Sequence, residues 1–414
     1  MPSSYALHEI LYASEASYAE NVTSPSSNTW TKKLPILSWD SDPPTQEIGT
    51  DGSIQSRSNE SRQGFKLGRP GGEISFTTLW PGHGTTTAGA LTENWFQDLL
   101  SDGLGGSDAT QVGGAALITG VTSATQFAQT GGTLVNGGII RIGIKGDTRG
   151  DGQAVVVSDA STVTLMTATA AQVSTADTIF AALLAYPRET SNVSVSKRFL
   201  CGWTDTGAQY HYMGCHLSGL TFNIPLDGSA LPTVQWRYQY AYWDRSAVTI
   251  PATSLALEEA EAAPFAGGSV FYNTYGTATR AVLNPLELQL SLDIANAVEY
   301  APYAGQAADQ TVRAIHRLRC VPTLSMVCRW STDFDALFTS DGPDTTHKHI
   351  LVTCNTTDGR SVGFYMPRCY LIGGKPSIME HSGLTCQRVT FRGRESALQP
   401  ANDLGKSAIR FFTA

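Results

Sequence analysis

Tyr212-Met213-Gly214-Cys215-His216-Leu217 and Tyr365-Met366-Pro367-Arg368-Cys369-Tyr370-Leu371 read alike although they lie far apart in the chain. Each leads through a turn-rich segment into a strand-like run: Val234-Gln235-Trp236-Arg237-Tyr238 after the first, Gln387-Arg388-Val389-Thr390-Phe391 after the second. A second pair lies upstream, Thr92 to Gly103 (TENWFQDLLSDG) against Ser331 to Gly342 (STDFDALFTSDG). Two landmarks recurring in one order predict a unit used twice, and repetition has to be read before any local pattern.

The spacing between landmarks says how the copies differ. Ser101 to Tyr212 spans 111 positions and Ser340 to Tyr365 spans 25, so the first copy carries about 86 residues that the second lacks. The surplus, residues 107–195, is rich in Ala, Gly, Thr and Val, with strand candidates at 115–121, 139–144, 153–157 and 161–167. This predicts a small inserted β subdomain.

Around it the expected boundaries are a polar N-terminal arm (1–30), a first β unit (31–106 and 196–250), a linker (251–270) and a second β unit (271–414). Trp95, Phe96, Leu99 and Leu100 fall on one side at helical spacing, with Thr92 as N-cap and Gly103 as stop. Trp236, Tyr238, Tyr240 and Tyr242 alternate with Gln235, Arg237, Gln239 and Ala241. The clearest strand is Leu286 to Ile294, where five apolar residues alternate with Glu287, Gln289, Ser291 and Asp293, so one face meets a core and the other meets water. The fold class expected is mainly β: two tandem β-sandwich or barrel units, each with a short flanking helix, and a subdomain inserted in the first.

Forty glycines and nineteen prolines in 414 residues suit short strands joined by turns. Charged residues make up 15%, against about 25% in ordinary soluble domains. Weakly polar surface of that extent fits a protein surrounded by its own copies. A formal charge of −8 with no basic run argues against gripping nucleic acid, which needs clustered Lys and Arg. Met1 to Tyr5 shows no secretion signal, and no apolar run is long enough to span a membrane as a helix. Seven cysteines without a C-x-x-C pair read as buried thiols, Cys215 and Cys369 at matching places in the repeat.

Reactive constellations are not found. There is no G-x-S-x-G elbow, no phosphate loop and no H-E-x-x-H. His347 and His349 lack a third ligand, and Cys201, His211, Cys215 and His216 fit no zinc spacing. The expectation is a protein with no catalytic residues, cofactor or metal.

The run Gly71 to Thr77 before the Trp95-bearing helix, the Thr/Val-rich insertion, the Tyr212 to Leu217 strand and the Leu286 to Asn296 strand resemble major tail tube proteins of long-tailed, siphovirus-type bacteriophages over roughly residues 60–400. The resemblance implies tail-tube-type β units whose sheets join side by side into a barrel around a channel. Rings stack, and a long loop reaches the neighbouring ring. A ring of this family normally holds six units; a duplicated chain would supply them as a pseudo-sixfold trimer, an undoubled one as a hexamer. The function implied is a virion structural protein of a non-contractile tail. Its partners would be itself and the tape-measure, tail terminator and tail tip proteins, with DNA passing through the lumen unbound and assembly in the host cytoplasm.

The candidate stacking loop is the polar segment from Asp40 to Gln63, carrying Asp40, Asp42, Glu47, Asp51, Arg57, Glu60 and Arg62; Ala295 to Gln310 is its shorter counterpart. The candidate lumen acids are Glu287 and Asp293. Two other readings stay open: a β-rich phage decoration or baseplate component, and a carbohydrate-binding β-sandwich.

Overall fold

Alternation of apolar and polar side chains governs the strands almost throughout, and the result is a mainly β protein. The computed structural model describes residues 8–15, 30, 32–41, 47–49, 65–67, 72–81, 94–123, 125–135, 137–143, 153–156, 163–165, 173–175, 177–180, 182–188, 196–203, 209–226, 230–240, 242–244, 269–275, 281–300, 312–330, 338–339, 342–343, 346–355, 361–381, 383–395 and 403–413. Strands β1 (His8–Ser14), β2 (Lys32–Leu34) and β3 (Ile36–Ser41) come first, then the hairpin β4 (Glu47–Gly49) and β5 (Phe65–Leu67), strand β6 (Gly72–Leu79) and helix α1 (Trp95–Leu104). There follow β7 (Gly105–Ser123), β8 (Gln126–Thr133), β9 (Ile139–Gly143), β10 (Gln153–Val156), β11 (Val163–Thr164), β12 (Thr178–Phe180) and β13 (Ala182–Pro187). Next are β14 (Lys197–Trp203), β15 (Gln209–Pro225), β16 (Thr233–Tyr240) and β17 (Tyr242–Asp244). The second half comprises β18 (Ser269–Thr274), β19 (Ala281–Leu283), β20 (Pro285–Tyr300), β21 (Val312–Arg329), β22 (Phe338–Thr339), β23 (Gly342–Pro343), β24 (Lys348–Asn355), β25 (Ser361–His381), β26 (Leu384–Arg394), α2 (Asp403–Lys406) and β27 (Arg410–Thr413).

Eight strands pair edge to edge, all antiparallel, in the order β3, β6, β16, β15, β20, β21, β26, β25. The N-terminal half of β15 continues into β14, β1 and β2. That of β25 continues in the same way into β24, β18 and β19. One pairing order therefore occurs before and after the segment at 245–268. β1 lies inside the stretch expected as an arm, with Ile10 and Tyr12 buried in the main core.

Irregularities recur with the order. β3 skips one residue against β6 between Ile36 and Ser38, and β20 skips one against β21 between Pro285 and Glu287. β14 shifts against β15 between Lys197 and Phe199, and β24 against β25 between Lys348 and Ile350. The second bulge sets Lys197 opposite Cys215 and Lys348 opposite Cys369. By these ladders Cys215-His216-Leu217 matches Cys369-Tyr370-Leu371 without a gap. The Tyr-Met pairs, alike in letters, are offset by one: Phe199 faces Tyr212, whereas Ile350 faces Met366. The bulge is the same in both halves, so the ladder runs on without a gap and the offset lies in the letters alone; Gly214, at φ 63°, sits in the first bulge.

Helix α1 starts and ends two residues later than its sequence signals imply. Asn94, not Thr92, is the N-cap, its side chain accepting from the Gln97 N–H at 2.8 Å, and the left-handed Gly105, not Gly103, ends it. Gly103 is instead a packing position, since a Cβ there would strike the Leu217 side chain. In the expected second helix, 331–337 lie outside the described residues and β22 pairs with β23 as a small hairpin.

The main core spans both halves, from Ile10 and Trp95 to Leu290, Phe364 and Phe411. Aromatic contacts bind α1 to the sheet: Phe96 packs edge-on to Trp236 at 5.3 Å and to Phe222 at 6.5 Å. The insertion has a separate core of Ile118, Phe127, Leu134, Ile140, Ile142, Val163, Leu165, Val173 and Ile179, sealed by the sheet β10, β9, β12, β7, β8, β11.

Candidate functional site

Burial of every second side chain of the eight-stranded sheet leaves its other face open. On β20, Leu288, Leu290, Leu292 and Ile294 point into the core, while Gln289 and Asp293 are exposed and Glu287 half-buried. Ladder partners extend that face across the sheet. One transverse row reads Ser38, Thr77, Gln235, Thr221, Ser291, Thr323, Arg392, Tyr370. The next reads Asp40, Ser75, Arg237, Gly219, Asp293, Val321. Short hydroxyl and amide side chains dominate, which is where the low charge content of the sequence is spent.

The face holds charges of both signs. Glu287 lies 3.9 Å from Arg388, each 47% exposed, a solvated pair worth at most about 1 kcal/mol. Arg392 and Arg394 continue the β26 side, with the Arg394 guanidinium 4.4 Å over the Tyr370 ring. Arg237 lies over Gly219, where an added Cβ would displace the guanidinium. The two expected lumen acids thus share one face with Asp40 and Glu73, interleaved with arginines. The arginines went unremarked in the sequence reading, although the alternation Gln387-Arg388-Val389-Thr390-Phe391-Arg392 already set them on one face.

Asp40, from the expected stacking loop, is exposed at the end of β3, and Glu47 belongs to β4, paired with Leu67 of β5. Asp42, Asp51, Arg57, Glu60 and Arg62 lie outside the described residues. The segment is partly a hairpin rather than a structureless run. Its counterpart is shorter than the sequence implies, because β20 continues to Tyr300 and β21 begins at Val312.

One end of the sheet is β3, which among the described residues pairs only with β6; the other is the C-terminal half of β25, which pairs only with β26. Leu37 on β3 is 57% exposed and Ile378 on β25 is 60% exposed. Open edges carrying apolar side chains are association sites.

No grouping of three or more His, Cys, Asp or Glu side chains that could hold a metal occurs among the described residues. His349 is buried and its pKa falls to about 4 through desolvation, with the Tyr365 hydroxyl 3.5 Å from Nδ1. Burial also raises the Cys201, Cys354 and Cys369 thiols well above their ordinary value, so they stay protonated and unreactive.

A mainly β chain with a polar sheet face and, among the described residues, a strand at each end of that sheet paired on one side only has the build of a structural protein. The sequence profile of the phage tail tube protein family matches residues 6–393, and the chain belongs to that family. It is a structural component of the phage tail. No curated protein sequence matches it.

Proposed function

We propose that the chain is a duplicated tube unit, that three copies close one pseudo-sixfold ring, and that stacked rings form the tube of a non-contractile tail through which DNA passes to the host. The observation that carries this is the pairing of β15 with β20 over seven consecutive residue pairs, Gly219 with Asp293 through Pro225 with Glu287. Two sheets with the same strand order are already joined side by side within one polypeptide. A head-to-tail joint repeated between copies closes a ring once the rotations sum to a full turn, and an axial contact repeats the ring into a tube. Closure also removes both open edges.

In this reading the open face lines the channel, Glu287 and Asp293 among its acids. Rows of hydroxyls and amides keep most of the face uncharged, and Arg388 on it is paired with Glu287. The polar segment from Asp40 to Gln63 contacts the next ring. The tape-measure, terminator and tip proteins are its other partners, assembly takes place in the host cytoplasm, and the chain catalyses nothing.

Negative-stain microscopy and light scattering of the purified protein test the proposal. Expected are rings of three chains, stacking with a rise of about 40 Å judged from strand length. Six chains per ring would refute the duplication, and a solitary particle would refute the tube.

A further inference from the structure

The joint inside the chain also specifies the joint between chains, residue by residue. The matched bulges equate Ser38, Trp39, Asp40 and Ser41 of β3 with Glu287, Leu288, Gln289 and Leu290 of β20. On the other side, β16 and β26 carry the equivalence from β15 to β25. Phe222 faces Val234, which faces Thr78, whereas Ile378 faces Gln387, which faces Cys328. Ile378 therefore occupies the place of Phe222, and Met379 that of Asn223.

Burial agrees with this equivalence. Phe222, covered by β20, is 0% exposed; Ile378, which among the described residues has no strand paired on its side away from β26, is 60% exposed. β25 also sets the four residues Gly373 to Pro376 against the single residue Val389 of β26, between Ile372 and Ser377. The strand resumes its register beyond them, so the equivalence holds for the part that forms the edge.

We infer that β25 of one copy pairs antiparallel with β3 of a second copy, setting Ile378 opposite Ser41, Met379 opposite Asp40, Glu380 opposite Trp39 and His381 opposite Ser38. This register is carried over from the internal one, where Phe222 faces Leu290, Asn223 faces Gln289, Ile224 faces Leu288 and Pro225 faces Glu287. It places the open faces of neighbouring copies flush, because Met379 and Asp40 take the places of Asn223 and Gln289, whose amides hydrogen-bond at 2.8 Å on that face. A slip of one residue would turn the face of one copy against the core of the next.

The inference rests on the ring reading above, and the test separates the two. Cys320 is the only native thiol not buried and is replaced by Ser in every variant. Copies carrying Asp40→Cys are mixed with copies carrying Met379→Cys under a mild oxidant. Expected is a disulfide-linked dimer as the main product, reversed by reductant, while Asp40→Cys mixed with Ser377→Cys or with His381→Cys, the two-residue slips, gives little. Cross-linking of a slipped pair in preference, or none of the three in particles that light scattering shows to be rings, overturns the register and leaves the ring intact. A protein that remains a single chain at all concentrations overturns both.

Discussion

Phe222 and Ile378 hold the same place in the two halves and should respond oppositely to truncation. Phe222 is wholly enclosed, packed against Trp80 at 5.0 Å and Phe411 at 5.1 Å, and cut back to alanine it leaves a cavity between two halves of one core. Such a change costs about 3–5 kcal/mol, a large part of the roughly 5–15 kcal/mol that holds a domain folded. Ile378→Ala removes a side chain that is 60% exposed in the lone chain, so the stability of that chain should move by no more than about 0.5 kcal/mol. The exposed fraction is the part left to be covered by a neighbour. Since full burial of such a side chain is worth about 1.5–3 kcal/mol, its loss weakens each joint by about 1–2 kcal/mol. In the proposed ring three such joints close together, so the concentration needed for assembly should rise by at least tenfold. Urea titration of the dilute protein gives the first quantity, and light scattering against concentration gives the second. Equal destabilisation of the lone chain by both substitutions, or unchanged assembly with Ile378→Ala, would show that the two positions are not equivalent.

Other perturbations follow from particular contacts. Lys197, 2% exposed, holds Asp102 at 2.5 Å and Asp98 at 3.3 Å and so ties α1 to β14; Lys197→Met should cost about 3 kcal/mol in urea unfolding, partly recovered by adding Asp102→Asn. His349 has a folded pKa near 4, below its usual 6.5, so the unfolded chain takes up the proton first. Its contribution is complete above about pH 6.5 and is lost as pH falls toward 4, by up to about 3 kcal/mol, and His349→Gln should lessen the fall in stability between those pH values by that amount. Replacing residues 42–71 by a short turn, which leaves β3 and β6 in place, should keep rings and abolish their stacking in electron micrographs; tubes of normal length would refute the loop assignment.

The alternation at Leu286 to Ile294 and along Val234 to Tyr240 made strands and core faces legible, because a side-chain period of two is a local property. The Cys-x-Leu landmark was legible for the same reason. Its Tyr-Met half was not, since the repeated letters stand one position out of step with the ladder, where Tyr212 matches Met366. The pairing of Gly219–Pro225 with Glu287–Asp293 had no local signal at all. Edge pairing is made by backbone groups that every residue carries, and only the finished sheet determines which edges meet. The candidate site was readable to a similar depth. Glu287 and Asp293 fell on the open face as the period required, but the neighbours that interleave arginines with them come from strands distant in sequence.

The halves differ where the insertion meets the second of them, and the difference explains why the chain can carry a long insertion without weakening the sheet. Beside the N-terminal half of β15 runs β17, a continuation of the same side of the sheet as β16. The matching place beside β25 is taken by β27, which pairs with β13 on its other edge, and β13 pairs with the start of β7. The last strand of the chain thus clamps the root of the insertion to the second half. Arg410 fastens the clamp. It donates to the Gly137 and Gly405 carbonyls and to Ser407 Oγ while its guanidinium lies over the Tyr365 ring. Burial lowers its pKa to about 10, so it remains charged at neutral pH, and a buried cation held by carbonyls fixes geometry more strictly than an apolar contact of equal volume. Because Tyr365 belongs to β25, the same residue that anchors the insertion also braces the strand whose far end forms the open edge.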